Sequence, residues 1–166
     1  MSVADIALPG CDIVQLAARR GQADALGMAL PGPGAAIRTG EFDALWIQPQ
    51  AWLLIAPSGP EGAFAARITA LAADRGAVID QTHGRTVFRI AGPGARDLLA
   101  RGCRIDLHPR AFGPGRVAAT IIAQIGCIIH QRDDAPSFDL IVPSTLAGSF
   151  AAWMGADPAH TGSAIR

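Results

Sequence analysis

A carboxylate, an imidazole and a thiol fall within six positions of this chain, at Asp106, His108 and Cys103. A carboxylate near an imidazole can orient it and polarise a group bound in a cleft. Prolines and glycines follow directly and favour a rigid loop over a continued helix or strand. One aspartate and one histidine make no recognised triad, so the alternative is that Asp106 caps a turn and His108 lies on the surface.

Three further residues of this loop, Pro109, Arg110 and Phe112, are candidates for contact with a ligand or partner. Polar and aromatic groups fixed on a stiff loop suit recognition. The Phe112 ring must either tuck inward or find a partner, and both interpretations stay open.

A second candidate is the segment from Asp80 to Arg85, a tight turn between two predicted strands. In one interpretation Asp80 and Arg85 face a ligand. In the other the segment is a plain hairpin, in which Asp80 accepts hydrogen bonds from the backbone or from Arg85.

A metal site is not predicted. Zinc needs three or four ligands at characteristic spacings, and Cys103 shows no such spacing with the histidines, which are His83, His108, His130 and His160. Cys103 is expected to be a small apolar residue at a helix end.

Composition removes several classes of function. All 14 basic residues are arginines and tyrosine is absent, which excludes P-loop lysines, Schiff-base lysines and a catalytic phenol. The formal net charge is zero, so neither nucleic acid nor an anionic membrane is an expected partner. The chain has no run of about 18 apolar residues, which excludes a membrane-spanning helix, and no signal-peptide pattern. Its three cysteines are scattered, unlike those of a disulfide framework. We therefore expect a cytoplasmic protein.

The elements that must position these groups follow from the apolar periodicity. An α+β fold is predicted, built from two ferredoxin-like βαβ units with mixed or antiparallel sheets. A single domain is expected over 1–154; it begins with a loose arm at 1–12 and is followed by a flexible tail at 155–166. Strands are predicted at 13–16, 44–47, 52–55, 78–79, 86–90, 117–125, 127–131 and 138–142. Helices are predicted at 22–30, from a Ser58 cap with Glu61 to Gly76, at 95–101, and from a Ser144 cap to 154.

These residues together resemble the gamma subunit of heterotetrameric sarcosine oxidase, over about 13–154. The resemblance is carried by four motifs: Trp46…Pro49…Trp52-Leu53; Asp80-Gln81…Gly84-Arg85; Arg89-Ile90…Gly92-Pro93…Ala95-Arg96-Asp97-Leu98-Leu99-Ala100; and Gly102-Cys103…Ile105-Asp106-Leu107-His108-Pro109…Phe112…Pro114-Gly115.

The resemblance implies a non-catalytic structural subunit that assembles with alpha, beta and delta subunits. That complex converts sarcosine to glycine and passes the one-carbon unit to tetrahydrofolate, and its other subunits carry FAD, FMN, NAD and zinc. On this basis the chain itself is expected to bind no cofactor and to self-associate when isolated.

The gamma subunit is in turn similar to the N-terminal folate-binding part of the glycine-cleavage T-protein. By this more distant similarity Asp106 falls on the functional aspartate of the T-protein, although Ile105 replaces the asparagine that precedes it there. A free-standing folate-binding or aminomethyltransferase-like protein is therefore the alternative function. The candidate residues for folate or partner contact are Asp106, His108, Pro109, Arg110, Phe112, Asp80 and Arg85.

Overall fold

The computed structural model describes residues 4–22 and 24–156. The chain divides into two compact units, Gly10–His83 (the first unit) and Met1–Pro9 with Gly84–Arg166 (the second unit). Each unit is built around one five-stranded sheet, and all strand pairs are antiparallel. With three α-helices of six to ten residues over the described ranges, the fold is mostly β. The single domain at 1–154 stays a prediction, and the predicted tail lies, from residue 157 on, outside the described residues.

The first unit has the strand order β3-β4-β5-β2-β6. Its elements are β2 (Cys11–Ala18), β3 (Ala36–Arg38), β4 (Asp43–Gln48), β5 (Ala51–Pro57), α1 (Ala63–Ala72) and β6 (Gly76–Asp80). Strand β2 pairs with both β5 and β6, so β5, α1 and β6 form a βαβ crossover around it. The predicted hairpin of the two tryptophan strands is confirmed: Trp46 lies opposite Trp52, and Gln50 in the turn adopts φ 61°.

The core of the first unit lies between α1 and one face of this sheet. Trp52 is buried there, and its indole Nε1 donates to the carbonyl of Pro31 at 2.8 Å. Because a buried indole N–H needs an acceptor, this bond fixes the loop before β3 on the sheet. The buried residues of this core are Val14, Leu16, Ala18, Ala25, Leu26, Phe42, Ala44, Trp52, Leu54, Ala56, Phe64, Ile68 and Ala72.

The second unit has the strand order β1-β7-β10-β9-β8. Its elements are β1 (Asp5–Ala7), β7 (Arg85–Ala91), α2 (Ala95–Ala100), β8 (Val117–Ile122), β9 (Ile125–Asp133), β10 (Ser137–Pro143), a 3-10 turn (Ser144–Leu146) and α3 (Ala147–Met154). Alternation in β7 is as predicted, since Phe88 and Ile90 enter the core and Arg89 lies on the other face. The core contains Phe88, Ile90, Ala95, Leu99, Leu107, Phe112, Ile122, Ile125, Cys127, Ile129, Phe138, Leu140, Val142, Phe150, Ala151 and Met154.

Two predictions near the N-terminus are wrong. The described part of the predicted arm, residues 4–12, is not loose, because β1 pairs with the edge of β7, where Ile6 lies opposite Ile90, and β2 begins at Cys11. The helix at 22–30 does not form in the described residues of that segment, which are turns and irregular chain. Gly21 and Gly27 both have positive φ, and the stretch between them is too short to support a helix.

The boundaries of α1 also differ from the prediction. It begins after Gly62, which adopts φ 73°, without a side-chain cap, so the expected box of Ser58 and Glu61 is wrong. It ends at Ala72, and Gly76 belongs to β6. A Cβ at Gly76 would lie 3.0 Å from the carbonyl oxygen of Ala17, so this glycine permits close approach of β6 to β2.

Two turns of the second unit are displaced from their predicted places. The β8–β9 hairpin turns at Ala123 and Gln124, with φ of 50° and 68°, and not at Gly126. Positive φ at both central residues matches the twist of a two-residue hairpin. The closing helix α3 follows a 3-10 turn that has no side-chain cap from Ser144. None of the described helices is long and apolar enough to cross a membrane.

Candidate functional site

The loop predicted to carry the chemistry connects α2 to β8. At its start Gly102 lies against Trp153, and a Cβ there would fall 2.7 Å from the ring and 3.1 Å from the amide nitrogen of Ala123. Only glycine allows this approach. Cys103 then forms a single β-bridge with Ile122, which holds the loop to the far end of β8.

Asp106 and His108 both serve the backbone of this loop. One carboxylate oxygen of Asp106 accepts from the amide of His108 at 2.9 Å, and the imidazole Nδ1 of His108 accepts from the amide of Arg110 at 3.2 Å. Nδ1 is therefore an acceptor, which places the proton of the neutral imidazole on Nε2. The two side chains are exposed and do not orient each other, so the geometry supports the turn-capping interpretation.

Phe112 tucks inward, which decides the question the sequence left open. It is 5% exposed and belongs to the core of the second unit, together with Leu107. The amides of Ala111 and Phe112 both donate to the carbonyl of His108, at 2.8 and 2.9 Å, and close the turn that directs the ring into the core. Pro109 and Arg110 lie on the outside of this turn.

Arg96 of α2 fastens the middle of the loop. Its guanidinium donates to the carbonyl of Leu107 and, at 3.0 Å, to the side-chain oxygen of Gln131 on β9. Its charge also lies 5.2 Å from the centre of the Phe138 ring. These contacts join helix, loop and sheet through one side chain, so the loop is held on both sides.

The second candidate segment does not form a hairpin. Strands β6 and β7 belong to different sheets, so the segment from Asp80 to Arg85 passes from one unit to the other. Asp80 accepts from the amide of Thr82 at 2.9 Å, and hydrogen bonds from this amide and from the Thr82 hydroxyl hold the pKa of Asp80 below its ordinary value. Asp80 thus has the turn-forming role that the alternative interpretation expected.

Arg85, at the start of β7, is half-buried, and burial lowers its pKa. Its Nε has no hydrogen-bond partner among the described residues. Asp80 belongs to the first unit and Arg85 to the second.

Two cysteines of the second unit are poor nucleophiles. Burial raises the pKa of Cys103, which lies against the core, and raises that of the buried Cys127 further. Since the thiolate is the reactive form, both behave as small apolar residues, as predicted for Cys103.

The sequence interpretation missed an ion cluster on the face of β7, β9 and β10 that is turned away from α2 and α3. Asp139 accepts from Nε and Nη2 of Arg89 at 2.7 and 3.0 Å, and from Nη1 of Arg132 at 2.7 Å. The carboxylate is 2% exposed, against 36% for Arg89 and 12% for Arg132. The signal that the sequence offered was an aspartate in the otherwise apolar strand Phe138–Val142, and the pairing that sets it opposite Arg89 is seen only in the structure.

The side chains of this loop thus mainly stabilise its own conformation: Asp106 caps a turn, Phe112 is buried, and Arg96 binds the loop to the helix and the sheet.

Comparison with known proteins agrees with the sequence motifs. The model of the sarcosine oxidase gamma subunit family (SoxG) matches residues 11–160. The chain belongs to this family.

Two curated relatives carry the name sarcosine oxidase subunit gamma. That of Arthrobacter sp. is 39% identical and that of Corynebacterium sp. (strain P-1) is 38% identical, each over 114 residues. The matched region is 68% of this chain and 56% of each relative, so the chain spans little more than half the length of these proteins.

Two solved structures share the fold. A chain of the heterotetrameric sarcosine oxidase from Corynebacterium sp. U-96 superposes with a TM-score of 0.80 at 24% identity, covering 98% of this chain and 86% of that one. The glycine cleavage system aminomethyltransferase T from Bartonella henselae superposes with a TM-score of 0.67 at 16% identity, covering 93% and 46%. The expected likeness to the T-protein fold is confirmed.

Proposed function

We propose that this chain is a non-catalytic structural subunit of a heterotetrameric sarcosine oxidase. In this proposal it assembles with alpha, beta and delta subunits, which bear the flavins, NAD, zinc and tetrahydrofolate of the reaction. Family membership and the likeness to curated gamma subunits support the assembly. Residues 1–154 would act as one domain of that complex in the cytoplasm.

One observation carries the non-catalytic part of the proposal. The carboxylate of Asp106 and the Nδ1 of His108, which offered the best catalytic pair, each accept a hydrogen bond from a backbone amide two residues on. A general base needs its lone pair aimed at a substrate proton within hydrogen-bond distance. Here Oδ1 of Asp106 and Nδ1 of His108 accept from amides that shape the loop, which supports a positioning role for both residues.

The test is co-expression with the other three subunits of the same organism, with the affinity tag on the largest. The chain is expected to elute in constant ratio with them. Purified alone, it is expected to show no sarcosine oxidation and to self-associate, since permanent interfaces generally bury more than about 2,000 Å². Failure to elute with the other subunits would contradict the assembly.

Calorimetry with tetrahydrofolate tests the alternative of a free-standing folate protein. Binding at micromolar concentration that Asp106→Asn abolishes would overturn the non-catalytic proposal. Asp97→Asn is the matched control, because Asp97 is an exposed aspartate on the neighbouring helix α2. If both variants lose tetrahydrofolate binding equally, the loss reflects the removal of a negative charge and does not support a folate site at Asp106.

A further inference from the structure

Exposed arginines are concentrated in the connection between α2 and β8. Residues 101–116, here called the basic loop, contain Arg101, Arg104, Arg110 and Arg116, all exposed. Asp106 is the only acidic residue among them, so the basic loop carries a net charge of 4 − 1 = +3 in a chain whose net charge is zero. This concentration is not explained by the packing of the second unit.

None of these four arginines has an ion pair or a side-chain hydrogen bond among the described residues. Several other arginines have partners: Arg67 pairs with Glu41 at 2.8 Å, Arg38 with Asp43 at 3.5 Å, and Arg96 clamps the loop itself. Arg19 and Arg20 of the first unit are exposed without ion pairs among the described residues, but they are only two and do not lie in a loop held at its start, middle and end. The carboxylate of Asp106, the one acid within the basic loop, accepts from the His108 amide instead. The positive charges of the basic loop are therefore free to contact another molecule.

The basic loop is also held in one conformation. Its start is held by the bridge of Cys103 to Ile122, its middle by Arg96 and the buried Phe112, and its end by hydrogen bonds of Gly115 and Arg116 with Gln131, at 2.8 and 3.0 Å. Ordering of a loop on binding costs free energy, and this cost is avoided when the loop is already fixed.

The loop runs the length of β8, from the end of that strand at Ile122 back to its start at Val117. Six strand residues extend about 20 Å. Charges distributed over such a length match the width of a protein–protein contact and exceed the reach of a single small anion.

We propose that the basic loop is a docking surface for an acidic face of a protein partner. Under the proposed function, on which this inference rests, that partner is another subunit of the oxidase. Nucleic acid is disfavoured because the loop offers no exposed aromatic ring for base stacking: Phe112 is buried. A bilayer is disfavoured because its largest apolar side chains, Leu107 and Phe112, both belong to the core.

The test uses charge reversal in the co-expressed complex. The double variant Arg104→Glu/Arg110→Glu is compared with Arg19→Glu/Arg20→Glu, which reverses two exposed arginines of the first unit that also lack ion pairs among the described residues. Mass photometry of a dilution series gives the dissociation constant of each complex. We expect at least about tenfold weaker assembly for the basic-loop variant, and no change for the control.

Salt provides a second measurement. Between about 50 and about 500 mM salt, assembly of the parent should weaken more steeply than assembly of the basic-loop variant, since screening acts on charges that the variant has already lost. Arg104→Gln/Arg110→Gln, which removes charge without reversing it, should give an intermediate dissociation constant. A circular dichroism melt of each purified chain shows that folding is retained.

The outcomes separate this inference from the proposed function. If the parent assembles and the basic-loop variant assembles equally tightly, the inference is wrong and the proposed function stands. Equal weakening in the control variant would also overturn the inference. If the parent does not assemble with the other subunits at all, both are wrong. Retention of a short DNA duplex at physiological salt, lost on reversal, would reassign the basic loop to nucleic acid.

Discussion

The two units of this chain have similar sheets but use their charges differently. In the first unit, the ion pairs of Arg38 and Arg67 lie at the surface, and the core contains only apolar side chains. The second unit buries the carboxylate of Asp139 between two arginines and leaves the arginines of the basic loop without ion pairs. The first unit also leaves Arg19 and Arg20 without ion pairs among the described residues, but these are two neighbouring residues and not a group of four within one fixed loop. For the four arginines of the basic loop we expect partners in another molecule.

The largest expected effect comes from the buried ion cluster of the second unit. Asp139→Ala leaves Arg89 and Arg132 without their common acceptor, and we expect a loss of about 4 kcal/mol in the free energy of unfolding. Urea unfolding followed by circular dichroism measures it. A loss below about 1 kcal/mol would mean that the cluster is no more stabilising than the surface pairs of the first unit.

Burial of Phe112 gives the next effect. Phe112→Ala should lower the free energy of unfolding by about 3 kcal/mol, because a ring that is 5% exposed leaves a cavity. Phe42→Ala is the matched change in the first unit, where Phe42 is also buried, and should cost a similar amount. Only Phe112→Ala is expected to weaken assembly with the other subunits as well. If both variants assemble equally well with the other subunits, the basic loop does not take part in docking.

Gly102 provides a smaller effect of the same kind. Gly102→Ala brings a methyl group against the Trp153 ring and should cost about 1–3 kcal/mol in thermal or urea unfolding. Gly40→Ala in the first unit is the control, because a Cβ there meets nothing within 4 Å. If both variants lose the same free energy of unfolding, the close approach of Gly102 to Trp153 of α3 does not hold the start of the loop in place.

Breaking a surface ion pair of the first unit should cost little. Glu41→Gln removes the partner of Arg67, and both side chains are exposed. Double-mutant measurements on such pairs give less than about 1 kcal/mol, and raised salt should reduce the effect further. If Glu41→Gln lowered the free energy of unfolding as much as Asp139→Ala, the surface pair and the buried cluster would stabilise their units equally, which would contradict the comparison.

The smallest effect concerns pH. Hydrogen bonds from Thr82 lower the pKa of Asp80 from its usual 3.8, so its charged form is favoured in the folded state. The resulting stabilisation is complete above the unfolded pKa of about 3.9 and is lost as the pH falls through the lower folded pKa. Urea midpoints of Asp80→Asn should therefore depend less on pH in that acid range than those of the parent. A steeper dependence in the variant would contradict the assignment.

The sequence was informative wherever one physical cause dominated. Alternation of apolar residues placed β7 and β10, and the motif around Asp106 located the rigid loop correctly. The ends of α1 were missed because they depend on positive φ at Gly62 and Ala73, which periodicity does not report. The role of Asp106 stayed open for a similar reason: an aspartate followed two residues later by an amide can cap a turn or serve a ligand, and only the bond to His108 distinguishes them.

The ion cluster could not be predicted because it depends on strand register. Arg132 lies seven residues from Asp139 and Arg89 lies 50 residues from it, and the three meet only when β10 pairs with β7 and β9 in one alignment. A shift of β10 by one residue would turn Asp139 to the opposite face and separate it from both arginines. The same applies to the basic loop, whose extent along β8 follows from the bridge of Cys103 to Ile122.

Hydrogen–deuterium exchange on the co-expressed oxidase complex tests the central claim most directly. Amides of residues 101–116 should exchange more slowly in the complex than in the isolated chain, while those around Arg19 and Arg20 should be unchanged. Exchange in the basic loop that is identical in both states, in a complex shown to contain this chain, would contradict the account.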